Sequence, residues 1–219
     1  MSQEEIILEK IEKCIPNFET FENRIITHIQ KDYFPLIYQC LYERIMPADY
    51  SKFSTEVFKK LLLNNNYLEL LNDIYRTRLS NEAIFTILER LEEVKDFDDY
   101  NNVLKRFKEC NPRKNGKSPA NAFSLGTKVL HTYNPEENPI LDSVIRENIE
   151  INHQMDIELC LDFRKAMNSF TNTHKEYFSL LDNSDKIKTE FERYKLKLKF
   201  PKMKILDMAL YKKTSTNVV

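Results

Sequence analysis

The chain has 219 residues, of which 42% are hydrophobic and 31% are charged, and its net charge is −1. These proportions are typical of a globular domain, and no apolar stretch approaches the ~20 residues that span a bilayer. Two glycines are too few for a P-loop or a dinucleotide-binding fingerprint, and they also disfavour sheets and hairpins. The length permits one large helical domain or two small ones.

Capping residues and helical periodicity predict an all-α fold of roughly ten helices. Ser2 and Glu5 form a capping-box pattern ahead of a first helix, which Pro16 ends. Ser80 is the predicted N-cap of a helix that continues to Val94. The other helices predicted in the first half cover residues 18–32, 35–46, 54–63, 67–78 and 100–108.

The clearest loop signal is the polar, basic segment from Asn111 to Lys117, which contains a proline and a glycine. Ser118 and Pro119 then predict the start of a helix that ends near Tyr133. We therefore expect an N-terminal helical region over residues 1–117 and a second region over residues 118–219, packed as one two-lobed unit. Further helices are predicted over residues 144–151, capped by Asp142 or Ser143, and over residues 156–181, 185–197 and 203–212.

The acidic N-terminus lacks the basic start of a secretory signal, so we expect a cytoplasmic protein. The four cysteines are far apart and form no CxxC pair, which disfavours a metal site and indicates reduced thiols. We expect neither a metal nor a cofactor, and a monomer is the simplest expectation.

The small net charge conceals an asymmetry between the two halves of the chain. Residues 1–100 carry 12 Lys/Arg against 19 Asp/Glu, whereas residues 101–219 carry 21 against 15. The basic residues concentrate between Lys105 and Lys128 and between Lys186 and Lys213. A polyanion, if one binds, would bind there, and the alternative is that these lysines and arginines only solvate exposed helix faces.

The strongest chemical signal is a lysine inside an apolar helix, followed by an aspartate at the start of the next one. Lys128 lies beside Leu125, Val129 and Leu130. Burial in such surroundings lowers the pKa of a lysine and frees its amine to act as a nucleophile. Asp142, at a predicted helix N-terminus, would have its carboxylate fixed by amide hydrogen bonds, ready to stabilise a cation.

These residues resemble two motifs of the helix-hairpin-helix DNA glycosylase superfamily. In its 8-oxoguanine-type members a Gly-Thr-Lys tripeptide supplies the catalytic lysine and a later Pro-x-x-Asp segment supplies an aspartate. Gly126-Thr127-Lys128 and Pro139-Ile-Leu-Asp142 look like these two elements. The wider pattern is similar to a poorly characterised bacterial branch, whose members often end in a segment like Ile205-Leu-Asp207-Met-Ala-Leu210-Tyr-Lys212, usually with tryptophan in place of Tyr211. The resemblance covers about residues 118–213.

The resemblance implies a multi-helix glycosylase-like fold and a DNA N-glycosylase/AP lyase that acts on a damaged or modified base flipped out of the DNA stack. It implies that Lys128 attacks the sugar and forms a Schiff base, and that Asp142 stabilises the positive charge. His131, one helical turn from Lys128, would assist proton transfer. The DNA phosphates would then be bound by Arg113, Lys114 and Lys117 and by the backbone at Gly126.

Each of these functional roles has a structural alternative. Lys128 is alternatively a snorkelling lysine with a solvated head, Asp142 a plain helix cap, and His131 a hydrogen-bonded structural histidine. For the whole chain, the alternatives are a catalytically silent DNA-binding module on the same fold and a protein-interaction domain that uses the acidic N-terminal half. The enzyme requires Lys128 and Asp142 to line one cavity with their functional groups a few ångströms apart, whereas the binding module does not.

Overall fold

The computed structural model describes residues 1–32, 34–45, 52–64, 66–75, 77, 79–108, 122–196 and 200–211. All regular structure within these ranges is α-helical, which confirms the predicted all-α class. The first half contains α1 (Gln3–Cys14), α2 (Phe18–Lys31), α3 (Phe34–Ile45), α4 (Thr55–Asn64), α5 (Tyr67–Ile74), α6 (Asn81–Glu92) and α7 (Tyr100–Lys105). The second half contains α8 (Phe123–Tyr133), α9 (Ser143–Asn148), α10 (Ile157–Thr173), α11 (Lys175–Asn183), α12 (Asp185–Arg193) and α13 (Lys202–Leu210).

The helices begin where the capping residues predict. Ser2 and Glu5 form both hydrogen bonds of a capping box at the start of α1. The Ser80 side chain accepts a hydrogen bond from the Ala83 amide at the start of α6. At α9 the cap is Asp142 rather than Ser143.

The predicted helix over residues 156–181 is in fact two helices, α10 and α11. They are separated at His174, whose φ of −109° and ψ of 43° are not helical. The imidazole of His174 packs against the rings of Phe170 and Tyr177, at centroid distances of 4.5 and 4.8 Å. Neither proline nor glycine marks this break in the sequence, so the helical pattern alone did not reveal it.

Helices from both sides of residue 117 contribute to one hydrophobic core. Helix α1 packs along α10, and α2 packs against α12 and α13. The core residues extend from Ile7 in α1 to Leu210 in α13. The predicted boundary at residue 117 lies outside the described residues, as does the predicted helix start at Ser118, so the division into two regions stays a prediction.

Helix α8 lies in the interior of this core, and all of its residues except Ser124 are buried. It packs against α5, α7 and α10. A Cβ atom added to Gly126 would lie 2.9 Å from side-chain atoms of both Leu104 and Phe107, so glycine permits the close approach of α7 to α8. The helix that carries Lys128 is therefore held on several sides.

No helix within the described ranges combines the length and the apolar character that crossing a bilayer requires.

Candidate lysine–aspartate site

The Lys128 side chain is buried in the protein interior, with 2% of the residue exposed. Its Nζ donates hydrogen bonds to the Ser124 carbonyl oxygen at 3.2 Å and to Ser124 Oγ at 2.7 Å. The ring of Tyr75, at the end of α5, lies over the amine with its centroid 4.9 Å from Nζ. The alternative of a snorkelling lysine with a solvated head is therefore wrong.

Burial lowers the pKa of Lys128, because the charged amine loses its hydration. The carboxylates of Asp142 and Asp207 act in the opposite direction, and the ammonium group of Lys204 adds to the lowering. A lowered pKa increases the fraction of free amine near neutral pH, which is the form that attacks carbon.

The loop between α8 and α9 folds back onto α8 and places Asp142 within electrostatic range of Lys128. The Leu141 amide donates a hydrogen bond to Thr127 Oγ1 at 3.2 Å, one residue from Lys128. Further along the loop, Asn138 Nδ2 donates to the Leu130 carbonyl oxygen at 2.9 Å. The Gly-Thr-Lys and Pro-x-x-Asp segments are thus in direct contact through Thr127.

The Asp142 carboxylate is half-buried at the N-terminus of α9. Its Oδ1 accepts a hydrogen bond from the Ile145 amide at 3.0 Å, which confirms the predicted capping role. The same carboxylate interacts electrostatically with Lys128 and with the phenol of Tyr211. Capping leaves the negative charge in place, so Asp142 can also stabilise a cation that forms at this site.

His131 is completely buried, and both of its ring nitrogens are in hydrogen bonds. Nδ1 lies 2.6 Å from the Asn138 carbonyl oxygen and therefore carries the proton, so Nε2 accepts from the Tyr38 hydroxyl at 2.8 Å. Burial lowers the pKa of His131 to about 3, which keeps the ring neutral at ordinary pH. These bonds favour the structural role of His131, and its part in proton transfer stays a prediction.

Of the predicted DNA-contacting residues, the structure describes Gly126. The Gly126 amide donates to the Ala122 carbonyl oxygen at 3.0 Å, within α8, and its Cα faces α7. The structure thus gives Gly126 a packing role, while phosphate binding by its backbone stays a prediction. Arg113, Lys114 and Lys117 lie outside the described residues.

Sequence reasoning missed three residues of this site: Tyr75, Lys204 and Asp207. Tyr75 carries no local signal, because it reaches Lys128 only through the packing of α5 against α8. Lys204 and Asp207 did offer a signal, because they are opposite charges three residues apart and the other residues from Met203 to Leu210 are apolar. Among the described side chains, no group of three or more His, Cys, Asp and Glu is arranged to hold a metal ion.

Comparisons with known proteins identify no relative. No family model matches the sequence, and searches of curated proteins and of solved structures give no match. A function for this chain must therefore be inferred from the geometry around Lys128 and from the motif resemblance.

Proposed function

We propose that the protein is a DNA N-glycosylase/AP lyase in which Lys128 is the nucleophile and Asp142 stabilises the developing positive charge. One observation carries this proposal: a buried lysine amine with a lowered pKa interacts electrostatically with the carboxylate that caps the next helix. The resemblance of the Gly126–Lys128 and Pro139–Asp142 segments to glycosylase motifs supplies the substrate class.

The proposed reaction begins with attack of the free Lys128 amine on the sugar C1′ atom. The nitrogen lone pair forms the new C–N bond, and the electron pair of the N-glycosidic bond leaves with the base, which takes up a proton. Loss of an amine proton and opening of the sugar ring, with protonation of its oxygen, give an iminium ion. Positive charge develops on the sugar before the new bond is complete, which is where an anionic Asp142 lowers the barrier.

The lyase step starts from the iminium ion. Loss of a proton from C2′ and departure of the 3′ phosphate cleave the DNA strand, and water then releases the sugar and regenerates the amine. If the iminium ion is instead reduced by borohydride, hydride addition gives a stable secondary amine that joins protein and DNA. This adduct provides a direct assay for the nucleophile.

Substrate access requires movement of Tyr75. Its half-buried ring covers the Lys128 amine, and only 2% of the lysine is exposed. The Tyr75 ring occupies the space through which a sugar carbon would approach Nζ. We therefore expect the Tyr75 ring to move away from Lys128 when DNA binds.

Borohydride trapping on duplex and single-stranded DNA with an abasic site tests the proposal. We expect the wild type to form a covalent adduct and Lys128→Met, which preserves most of the side-chain volume, to form none. Lys165→Met, which removes an exposed lysine on α10, should retain the wild-type yield. DNA binding without any adduct, and without base release from a panel of damaged bases, would favour the silent binding module.

Substitution of Asp142 separates its capping role from its proposed charge role. Asn caps helices about as well as Asp, so Asp142→Asn keeps the hydrogen bond to Ile145 and removes only the negative charge. We expect base release to fall by at least tenfold in this variant. The matched control is Asp156→Asn, because the Asp156 carboxylate caps α10 with a 2.7 Å hydrogen bond from the Leu159 amide.

A further inference from the structure

The first turn of α8 contains the only residue of this helix that is not fully buried. Ser124 is half-buried, whereas every other residue of α8 is buried. Side chains of a helix lean towards its N-terminus, and residues four apart lie on the same face. The long side chain of Lys128 therefore runs back towards Ser124, and both of its hydrogen bonds are made to that residue.

Ser124 binds the Lys128 amine with two oxygens. Its hydroxyl oxygen lies 2.7 Å from Nζ, and its carbonyl oxygen lies 3.2 Å from Nζ. The Thr127 hydroxyl lies 3.0 Å from the same carbonyl oxygen and accepts a 3.2 Å hydrogen bond from the Leu141 amide. The acceptors of the amine are thus held by α8 itself and by the loop that leads to α9.

These contacts leave one direction around Nζ for a substrate. An amine nitrogen has three positions besides its bond to carbon, and the two oxygens of Ser124 occupy two of them. The other close contact of Nζ within the described residues is with the ring of Tyr75, whose centroid is 4.9 Å away. When both N–H groups of the neutral amine are donated to Ser124, the lone pair is directed away from Ser124, towards the side on which Tyr75 lies.

We propose that Ser124 is a positioning residue, whose two oxygens orient the Lys128 amine so that its lone pair faces the space where the sugar carbon would arrive. This inference rests on the proposed function, because it takes Lys128 as the nucleophile. Lysine has a flexible stem, and an amine without fixed acceptors would point its lone pair in many directions. A misplacement of about 1 Å can cost about a hundredfold in rate, so Ser124 should matter for the chemical step.

A different arrangement of the same atoms makes the opposite prediction. If the Ser124 hydroxyl donated its proton to the neutral amine, it would occupy the lone pair, and this bond would have to break before Lys128 attacked. Removal of the hydroxyl would then accelerate the reaction. In the positioning arrangement the hydroxyl proton faces solvent, which the half-buried Ser124 can reach. The sign of the rate change in Ser124→Ala therefore distinguishes the two arrangements.

Single-turnover borohydride trapping on abasic-site DNA measures this rate. With DNA in excess of its dissociation constant, we expect Ser124→Ala to form the adduct about tenfold more slowly than the wild type, with an affinity for DNA within about twofold of the wild-type value. Ser124→Thr retains the hydroxyl and should trap at close to the wild-type rate. The matched control is Ser169→Ala on α10, which removes the hydroxyl of another half-buried helical serine and should leave the rate unchanged.

Two outcomes of the trapping experiment would overturn the proposal. The first is an adduct that Ser124→Ala forms at the wild-type rate or faster, including the case in which only its affinity for DNA has fallen. The second is a Ser124→Thr protein as slow as Ser124→Ala, because the hydroxyl would then not be the cause of the effect.

The mobility of the Lys128 ammonium group tests the same contacts without DNA. In protein labelled with ¹⁵N-lysine, NMR relaxation gives an order parameter for each ammonium group, and Lys128→Met identifies the signal of Lys128. At a pH low enough to charge this amine, we expect a wild-type value near the ~0.85 of rigid backbone and a value below about 0.6 in Ser124→Ala. Lys204, which is paired with Asp207 on α13, should keep its value in both proteins.

The two measurements separate this proposal from the proposed function. A rigid Lys128 ammonium group in Ser124→Ala would refute the positioning role. A mobile one, in a protein whose wild type forms no DNA adduct, would keep Ser124 as the residue that holds Lys128 and reject the glycosylase. Equal trapping rates for the wild type and Ser124→Ala would keep the glycosylase and reject the role of Ser124.

Discussion

Helices α8 and α13 carry buried charged side chains, whereas the charged side chains of α12 are not buried. All of α13 except Lys202 is buried, as is all of α8 except Ser124, whereas α12 buries only Ile187. The lysines and arginine of α12 lie in solvent, where pairs such as Arg193 and Glu190, 3.8 Å apart, contribute little to stability. The amines of Lys128 and Lys204 have lost their hydration, so each needs a partner or a function. Lys204 pairs with Asp207 on its own helix, whereas Lys128 interacts only with the more distant carboxylates of Asp142 and Asp207.

The largest effect that we expect in this comparison is that of breaking the α13 ion pair. Lys204→Met leaves Asp207 buried without its ammonium partner and should lower the free energy of unfolding by about 3–5 kcal/mol. Arg193→Met on α12 should change it by less than about 1 kcal/mol. Urea denaturation at neutral pH measures both, and a loss below about 1 kcal/mol for Lys204→Met would contradict the buried pair.

The second-largest effect that we expect is a pH dependence of stability caused by the buried imidazole of His131. The folded state keeps His131 neutral down to a pKa of about 3, whereas the unfolded chain binds this proton below about pH 6.5. The contribution is therefore complete above about pH 6.5 and is lost as the pH falls towards 3. At about pH 5 the loss should be roughly 2 kcal/mol.

His131→Gln should remove that part of the pH dependence, as measured by urea denaturation at several pH values between about 7 and 4. The matched control is His153→Gln, which removes an exposed histidine and should retain the wild-type slope. Identical slopes for the wild type and His131→Gln would mean that the imidazole titrates as it does in the unfolded chain.

The smallest expected effect has the opposite sign. Lys128→Met should raise the free energy of unfolding by about 1 kcal/mol, because the cost of burying an amine exceeds the gain from its two hydrogen bonds to Ser124. Stability gained as activity is lost is typical of a functional residue. Chemical denaturation at neutral pH measures the change, and a clear loss of stability would indicate a structural lysine.

The sequence predicts those parts of the fold and site that depend on neighbouring residues. Ser2, Ser80 and Asp142 cap helices because their side chains bond to amides three residues later. Periodicity likewise predicts most of the helices, including α8 with Lys128 on it. It does not predict the break at His174, where the imidazole packs against the rings of Phe170 and Tyr177.

The surroundings of Lys128 depend on tertiary contacts that the sequence does not specify. Tyr75 covers the amine because α5 packs against α8. Tyr38 connects α3 both to Lys204 and to His131. The apolar neighbours of Lys128 are compatible with both a desolvated and a snorkelling amine. The identity of the aromatic rings and carboxylates around it depends on the packing of helices distant in the chain.

Mapping the borohydride-reduced adduct decides whether Lys128 is the nucleophile. After trapping on abasic-site DNA, protease and nuclease digestion followed by tandem mass spectrometry identifies the lysine that carries the sugar remnant. We predict modification of Lys128, the buried amine of α8. Modification of exposed lysines such as Lys165, with Lys128 unmodified, would contradict this assignment.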